Sequence, residues 1–515
     1  MASLDVQVEM PKTVPLQPYG CLFGYDCPPG ISPTFSKVSF IGKKVTSSLL
    51  SDIHVRDVLL LDRCHGISGA DVSLIIDHIQ NVKVLSFNGS SIRSIPESIS
   101  KLRNLQVLDV RSFDDVPQLP DALFSLTSLK VLKCDEITKF NFALLPQLFN
   151  LEELELHSGK ELAVDLSGIS SLHKLRHLKL NLFNNATIKI PHSLGALEDI
   201  ETLELQAKSM DFADFTGLWQ LVNLRQCHIR VESTIKLDWK RMFKNSKQLQ
   251  NFTIYGVQDG ENNAESLEWL QLQFLSITNN ETMKDLSWLK GFQRLRKLDL
   301  DCSGIQFFSL DGLFPCLEHL ELRNLRIAQS EFKDDLAASL PNLKRLTFVV
   351  ALDNTWEHLP LFVTQLPKDL DGLRVEGYMR RLLMPTERSQ LKVKRFTLSL
   401  RKGCMRQLPN DFFEPTDQMT LLRWAHLMGI ENIPSSIASL PGLEMLGLYD
   451  HDDVVWPQLS SDNHGLGLFP RLKVLRCRKG TKVPPWLEER PDLQINFRDD
   501  IVTKVPPWLE SSKVY

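Results

Sequence analysis

The chain has 515 residues, of which 43% are hydrophobic and 24% charged, with a formal net charge of −4. This composition excludes a largely disordered chain. The near balance of charge argues against nucleic acid or a membrane surface as partner, since both select for a basic excess. Length alone suggests roughly three or four domains, unless a repeat draws the chain out into one array.

The first twenty residues, MASLDVQVEMPKTVPLQPYG, lack the basic-then-apolar order of a secretory signal. No stretch approaches the ~18–20 apolar residues of a membrane span. A cytoplasmic setting is expected, with the nucleus as the other open compartment. The nine cysteines are an odd number and include no C-x-x-C pair. Cys21 and Cys27 are close, but reduced thiols are the expected state. Residues 1–33 are rich in Pro and Gly and show no period, which predicts an irregular extension.

Beyond them one pattern recurs: an apolar residue, another three on, and a third two later. Val82 (VKVLSF), Leu105 (LQVLDV), Leu129 (LKVLKC), Leu151 (LEELEL) and Leu175 (LRHLKL) begin clear copies. The series runs through Ile200, Leu224, Leu249, Leu272, Leu295, Leu317, Leu343, Leu370, Val393, Met419, Leu443 and Leu472 to Leu493, where Asn496 interrupts it. Phe35 (FSKVSF) and Val55 (VRDVLL) begin looser copies. The mean spacing is about 24 residues, inside the ~20–29 range of leucine-rich repeats.

Side chains alternate along a strand, so Leu154 and Leu156 share one side. A single repeat cannot bury that side alone; stacked repeats merge it into a continuous core. The predicted architecture is an α/β leucine-rich-repeat solenoid over 34–498. Its parallel sheet is expected on the concave side of a curved horseshoe, an arc of roughly 80–90 Å at ~4.8 Å per strand. Pro96, Pro120, Pro191, Pro409 and Pro434 follow the strands and suit the starts of short helical turns on the convex side. Cys134, Cys227 and Cys477 occupy apolar positions and are expected to be buried. The acidic insertion with Asp450, His451, Asp452, Asp453 and His464 lacks zinc-type spacing and is expected to be a solvated loop. The octapeptide TKVPPWLE occurs at Thr481 and again at Thr503. Residues 499–515 are expected to be a truncated last repeat and tail, with Trp508 over the final layer or frayed.

No phosphate loop, zinc helix, nucleophile elbow or kinase signature is present. Neither catalytic residue, metal site nor cofactor is expected. What remains is a surface. The residue before the last apolar position of each repeat points away from the core and forms a ladder. It includes Asp109, Lys133, Glu155, Lys179, Glu204, His228, Asp299, Glu321, Arg374, Arg423 and Arg476, with Arg111 beside it. Charge alternates in the first half. The second half gains Lys394, Arg395, Lys473 and Arg478 and could attract an acidic partner segment. Tyr255 and Tyr449, just past their strands, are the expected aromatic anchors. Trp424 is expected in the core. The ladder is predicted to dock a protein, its charges setting specificity and association rate.

The stretch NVKVLSFNGSSIRSIPESISKLRNLQVLDVRSF, followed by QLPDALFSLTSLKVL, resembles the leucine-rich-repeat region of plant intracellular nucleotide-binding disease-resistance proteins. The likeness spans about 35–498 and is sharpest over 54–135 and 419–450. No nucleotide-binding domain of that family is legible in these residues, so its ATP switch is not expected to carry over. The resemblance implies recognition of a pathogen effector or a host protein. Two alternatives are an intracellular scaffold for small-GTPase and phosphatase signalling, and the substrate-recognition subunit of a ubiquitin ligase. Wide variation in repeat length disfavours the first. The lack of an F-box-like N-terminus disfavours the second.

Overall fold

A computed structural model describes residues 7–9, 34–41, 54–65, 67–90, 92, 94–111, 119–159, 164–211, 216–237, 246–259, 271–279, 286, 289, 292–301, 303–305, 310, 314–325, 338–351, 370–377, 393–400, 407–413, 421–449, 454–457 and 468–498. Cys21, Cys27, Asp450–Asp453, His464 and the second TKVPPWLE copy with Trp508 lie outside them. The chain divides into two compact units, 1–260 and 261–515.

In the first unit, the strands from Thr34–Ile41 to Asn251–Asp259 pair in parallel with their sequence neighbours. A short strand, Gln7–Glu9, pairs antiparallel with Thr34–Ile41, inside the segment expected to be irregular. Each strand buries alternate residues. Leu108, Leu132, Leu154, Leu178 and Leu203 form one stacked layer, and Val110, Cys134, Leu156, Leu180 and Leu205 the next, all inaccessible or nearly so. Burial pushes the Cys227 thiol up to about 12.

Before each strand the chain makes the same turn. The amides of Leu105, Leu129, Leu151 and Leu175 each donate to the carbonyl three residues back, at 2.9 Å. The return segments are mostly 3-10 turns. Pro96, Pro120 and Pro191 sit as N-caps of Glu97–Lys101, Asp121–Ser125 and His192–Ala196. Proline's fixed φ suits that entry. One longer α-helix, Gly69–His78, is closed by a Ser68–Asp71 capping box.

The second unit repeats the plan from Phe274–Thr278 to Gln494–Arg498, again parallel between successive strands. Pro434 and Pro484 cap one-turn α-helices at Ser435–Ala438 and Pro485–Glu488.

Register corrects three repeats. Ala425 and Leu427 pair with Phe396 and Leu398 and take the buried positions. The frame therefore starts at Leu422 rather than Met419, and Trp424 leaves the core. Ile495 and Phe497 pair with Leu475 and Cys477, so Asn496 faces outward and the alternation is not broken there. Leu59 and Leu61 fill the core instead of Val58 and Leu60. In each case several apolar residues stand side by side, and pairing with the neighbouring strand selects the frame.

Candidate interaction face

The outward ladder is real in the first unit. Ser86, Asp109, Lys133, Glu155, Lys179, Glu204, His228 and Thr253 lie side by side on successive strands. A second column, two residues on, brings His157, Asn181, Gln206, Arg230 and Tyr255 together.

Many of these groups bind one another. Arg111 grips Asp109 with two bonds, Nε to Oδ1 at 3.0 Å and Nη2 to Oδ2 at 2.7 Å. Lys133 Nζ sits 2.8 Å from Glu153 and 3.5 Å from Glu155. Glu155 is only 7% exposed. The His157 hydrogen bond holds its carboxyl down at about 2 against the cost of burial, helped by Arg111, Lys133 and Lys179. His157 itself has Nδ1 3.0 Å from Asp135 and Nε2 3.4 Å from Glu155. Burial alone would depress its pKa, but the two carboxylates override it and raise it to about 9. The side-chain amide of Asn181 lies 3.1 Å from His157 Nε2. The nearer amide atom is Nδ2, but with both ring nitrogens protonated Nε2 can only donate, so the amide turned to present Oδ1 is the form that pairs with it. That orientation also gives Asn181 Oδ1 its hydrogen-bond donor. Glu204 accepts from Gln206 at 2.7 Å, and the Arg230 guanidinium stands 4.8 Å from the centre of the Tyr255 ring. Burial lowers the pKa of His228.

This network predicts a pH profile. His157 has a folded pKa above its ordinary 6.5, so its contribution is full below that pH and is lost as pH rises through about 9. Glu155 is depressed, so its contribution is present above 4.5 and is lost as pH falls through about 2. The urea midpoint should therefore fall between pH 6.5 and 9, and His157→Gln should flatten that limb. A limb of unchanged slope in the variant would count against the assignment.

In the second unit Asp299, Glu321, Thr347 and Arg374 continue as a column. Arg323 holds Asp299 at 2.8 and 3.1 Å and Glu321 at 2.9 Å, and Ser276 donates to Asp299 at 3.1 Å. Burial and the neighbouring Asp299 raise the Glu321 pKa. Arg374 pairs with Glu376. Arg423 is not in the ladder. It precedes its strand, and its carbonyl accepts from Glu444 and Met445. The ladder position belongs to His426, between Thr397 and Gly447. Trp424 is half-buried on the outward face beneath Arg395, 4.3 Å from the guanidinium to the ring centre. Tyr255 and Tyr449 lie within their strands rather than past them.

An outward feature missed at the sequence level is apolar. Val58, Val84, Val107 and Val131 are in register on four successive strands, outward and half-buried. In VKVL, LQVL and LKVL the valine adjoins a core leucine and reads as core, yet alternation turns it outward. The stripe spans roughly 14 Å and borders the Asp109–Arg111–Lys133–Glu155 cluster. Among the described residues, no group of three or more His, Cys, Asp or Glu is placed to hold a metal ion. Nor is any helix there long and apolar enough to cross a membrane.

Comparison with known proteins agrees with this repeat architecture. A probable disease resistance protein of Arabidopsis thaliana is 28% identical over 225 residues, covering 42% of this chain and 24% of the relative. A putative disease resistance RPP13-like protein 2 of the same plant is 26% identical over 268 residues, 51% of this chain and 31% of the relative. The chain thus spans less than a third of either relative. Among solved structures, an internalin of Listeria monocytogenes matches with a TM-score of 0.48 at 19% identity, covering 66% of this chain and 86% of that one. The family model for the leucine-rich repeat region matches residues 36–367. The chain belongs to the leucine-rich repeat family.

Proposed function

We propose that this chain is a non-catalytic recognition module that docks a protein on the outward face of its sheet. The setting is cytoplasmic, and the partner is a pathogen effector or a host protein. The valine stripe carries this reading. Four half-buried valines in register, bordered by ordered charged side chains, have the anatomy of a protein interface: an apolar centre with a polar rim. Similarity to plant disease resistance proteins supports the class of partner.

The test is affinity capture from plant cell extract with the wild type, Val107→Lys, Lys179→Glu and Glu204→Lys. Partner recovery should drop at least tenfold with Val107→Lys and several-fold with the two charge reversals. Recovery unchanged in all three would overturn the reading. Glu155→Lys is a poor probe, because it sets a new cation beside Lys133, Lys179 and Arg111 at a buried site.

A further inference from the structure

The outward carboxylates of the second unit, Asp299, Asp301, Glu321 and Glu376, end at the strand Leu370–Gly377. On the five strands that follow, from Val393–Leu400 to Gln494–Arg498, no outward position is Asp or Glu. Two aromatic side chains, Trp424 and Tyr449, stand on this face.

At its centre is a notch. His426 stacks on Tyr449, rings 5.9 Å apart and 13° from parallel. Gly447 lies between them and adjoins Arg476 on the next strand. A Cβ at 447 would meet His426 Nδ1 and Tyr449 Cε2, each at 2.9 Å, so the column of side chains is interrupted here. At the equivalent strand position Lys133 in the first unit and Arg374 in the second have carboxylate partners. Arg476 has no ion pair among the described residues. Burial and the nearby Arg476 hold the His426 pKa down at about 4, so at neutral pH the histidine is uncharged and adds no second cation.

We propose that this notch receives an Asp or Glu side chain from an acidic segment of the protein partner. The carboxylate pairs with Arg476 over Gly447, and a neighbouring apolar or aromatic residue of the segment lies on Tyr449. The inference rests on the reading that the sheet face recognises a protein, and adds the chemistry of what is recognised. Charge complementarity is its warrant: a cation beside an aromatic ring, on strands whose described outward positions carry no carboxylate, selects an acidic ligand.

The experiment titrates the full chain with synthetic peptides that place Asp or Glu beside Trp, Phe or Leu, read by fluorescence anisotropy. Asn and Gln twins of each peptide are run in parallel. Acidic peptides should bind, and their amide twins should bind at least tenfold more weakly. Arg476→Glu should lose at least tenfold, Arg476→Lys much less, and Phe149→Lys, on an exposed return segment, nothing. Equal binding of the amide twins, or an indifferent Arg476→Glu, overturns the proposal. So does binding confined to phosphorylated peptides, which would make the ligand a phosphate. Binding seen only after Asp450, Asp452 and Asp453 are changed to Asn also overturns it, by assigning Arg476 to the chain's own acidic stretch. If acidic peptides fail while Val107→Lys still abolishes partner capture, this inference falls and the recognition reading stands.

Discussion

Replacing Leu154 with alanine is expected to lower stability by about 3–4 kcal/mol. Leu154 is fully buried, with Leu132 and Leu178 on either side of it in register. Truncation removes apolar contact and leaves a cavity that flanking strands cannot close without breaking their own ladders. In a repeat array each layer depends on its neighbours, so the loss should be read locally first. Hydrogen exchange of amides in Glu153–His157 and His177–Lys189 should accelerate most, ahead of the global denaturation midpoint. A change below about 1 kcal/mol would mean that this layer is not the packed core described here.

Gly256→Ala is expected to cost about 3 kcal/mol or more, an unusually large effect for one methyl group. Gly256 has φ +78°, and a Cβ there would stand 2.0 Å from the Val231 carbonyl oxygen. The obstacle is backbone in the adjoining strand, so no side chain can swing aside. The strands Gln226–Leu237 and Asn251–Asp259 shift register at this point, between the pairs Arg230–Tyr255 and Ile235–Val257. Opening the pair to admit the methyl group would disrupt pairing on both sides of the shift. Gly159→Ala is the control, expected to cost less than about 1 kcal/mol. Its Cβ would meet the movable Glu136 carboxylate at 3.1 Å. Denaturation of both variants, with circular dichroism as readout, checks the contrast; equal costs would contradict it.

The fold was legible because each repeat is short and its apolar spacing is strict. Leu151, Leu154 and Leu156 specify a turn, a strand and its buried side without reference to anything distant. Legibility failed where apolar residues crowd together. Met419, Leu421, Leu422 and Trp424 allow two frames, and only Phe396 and Leu398 on the preceding strand choose between them. The ladder was read correctly at Asp109 through Glu204, but its internal pairing was not. Arg111 and His157 act from the second column, and their partners lie up to two strands away. Spacing along the sequence does not reveal whether a charge is offered to a partner or already matched by a neighbour. The Val58–Val131 stripe was hidden for a related reason. Valine beside leucine looks like core until the pleat assigns each to a side.

The central claim is that the sheet face, not the return segments, binds the partner. The measurement that tests it most directly compares the affinity of one captured partner for Val107→Lys and Phe149→Lys. Val107 lies on the outward sheet face, and Phe149 is 50% exposed on a return segment. Each adds one cation without entering the buried layers. Val107→Lys should weaken binding at least tenfold, with Phe149→Lys within twofold of wild type. The opposite order would contradict the account.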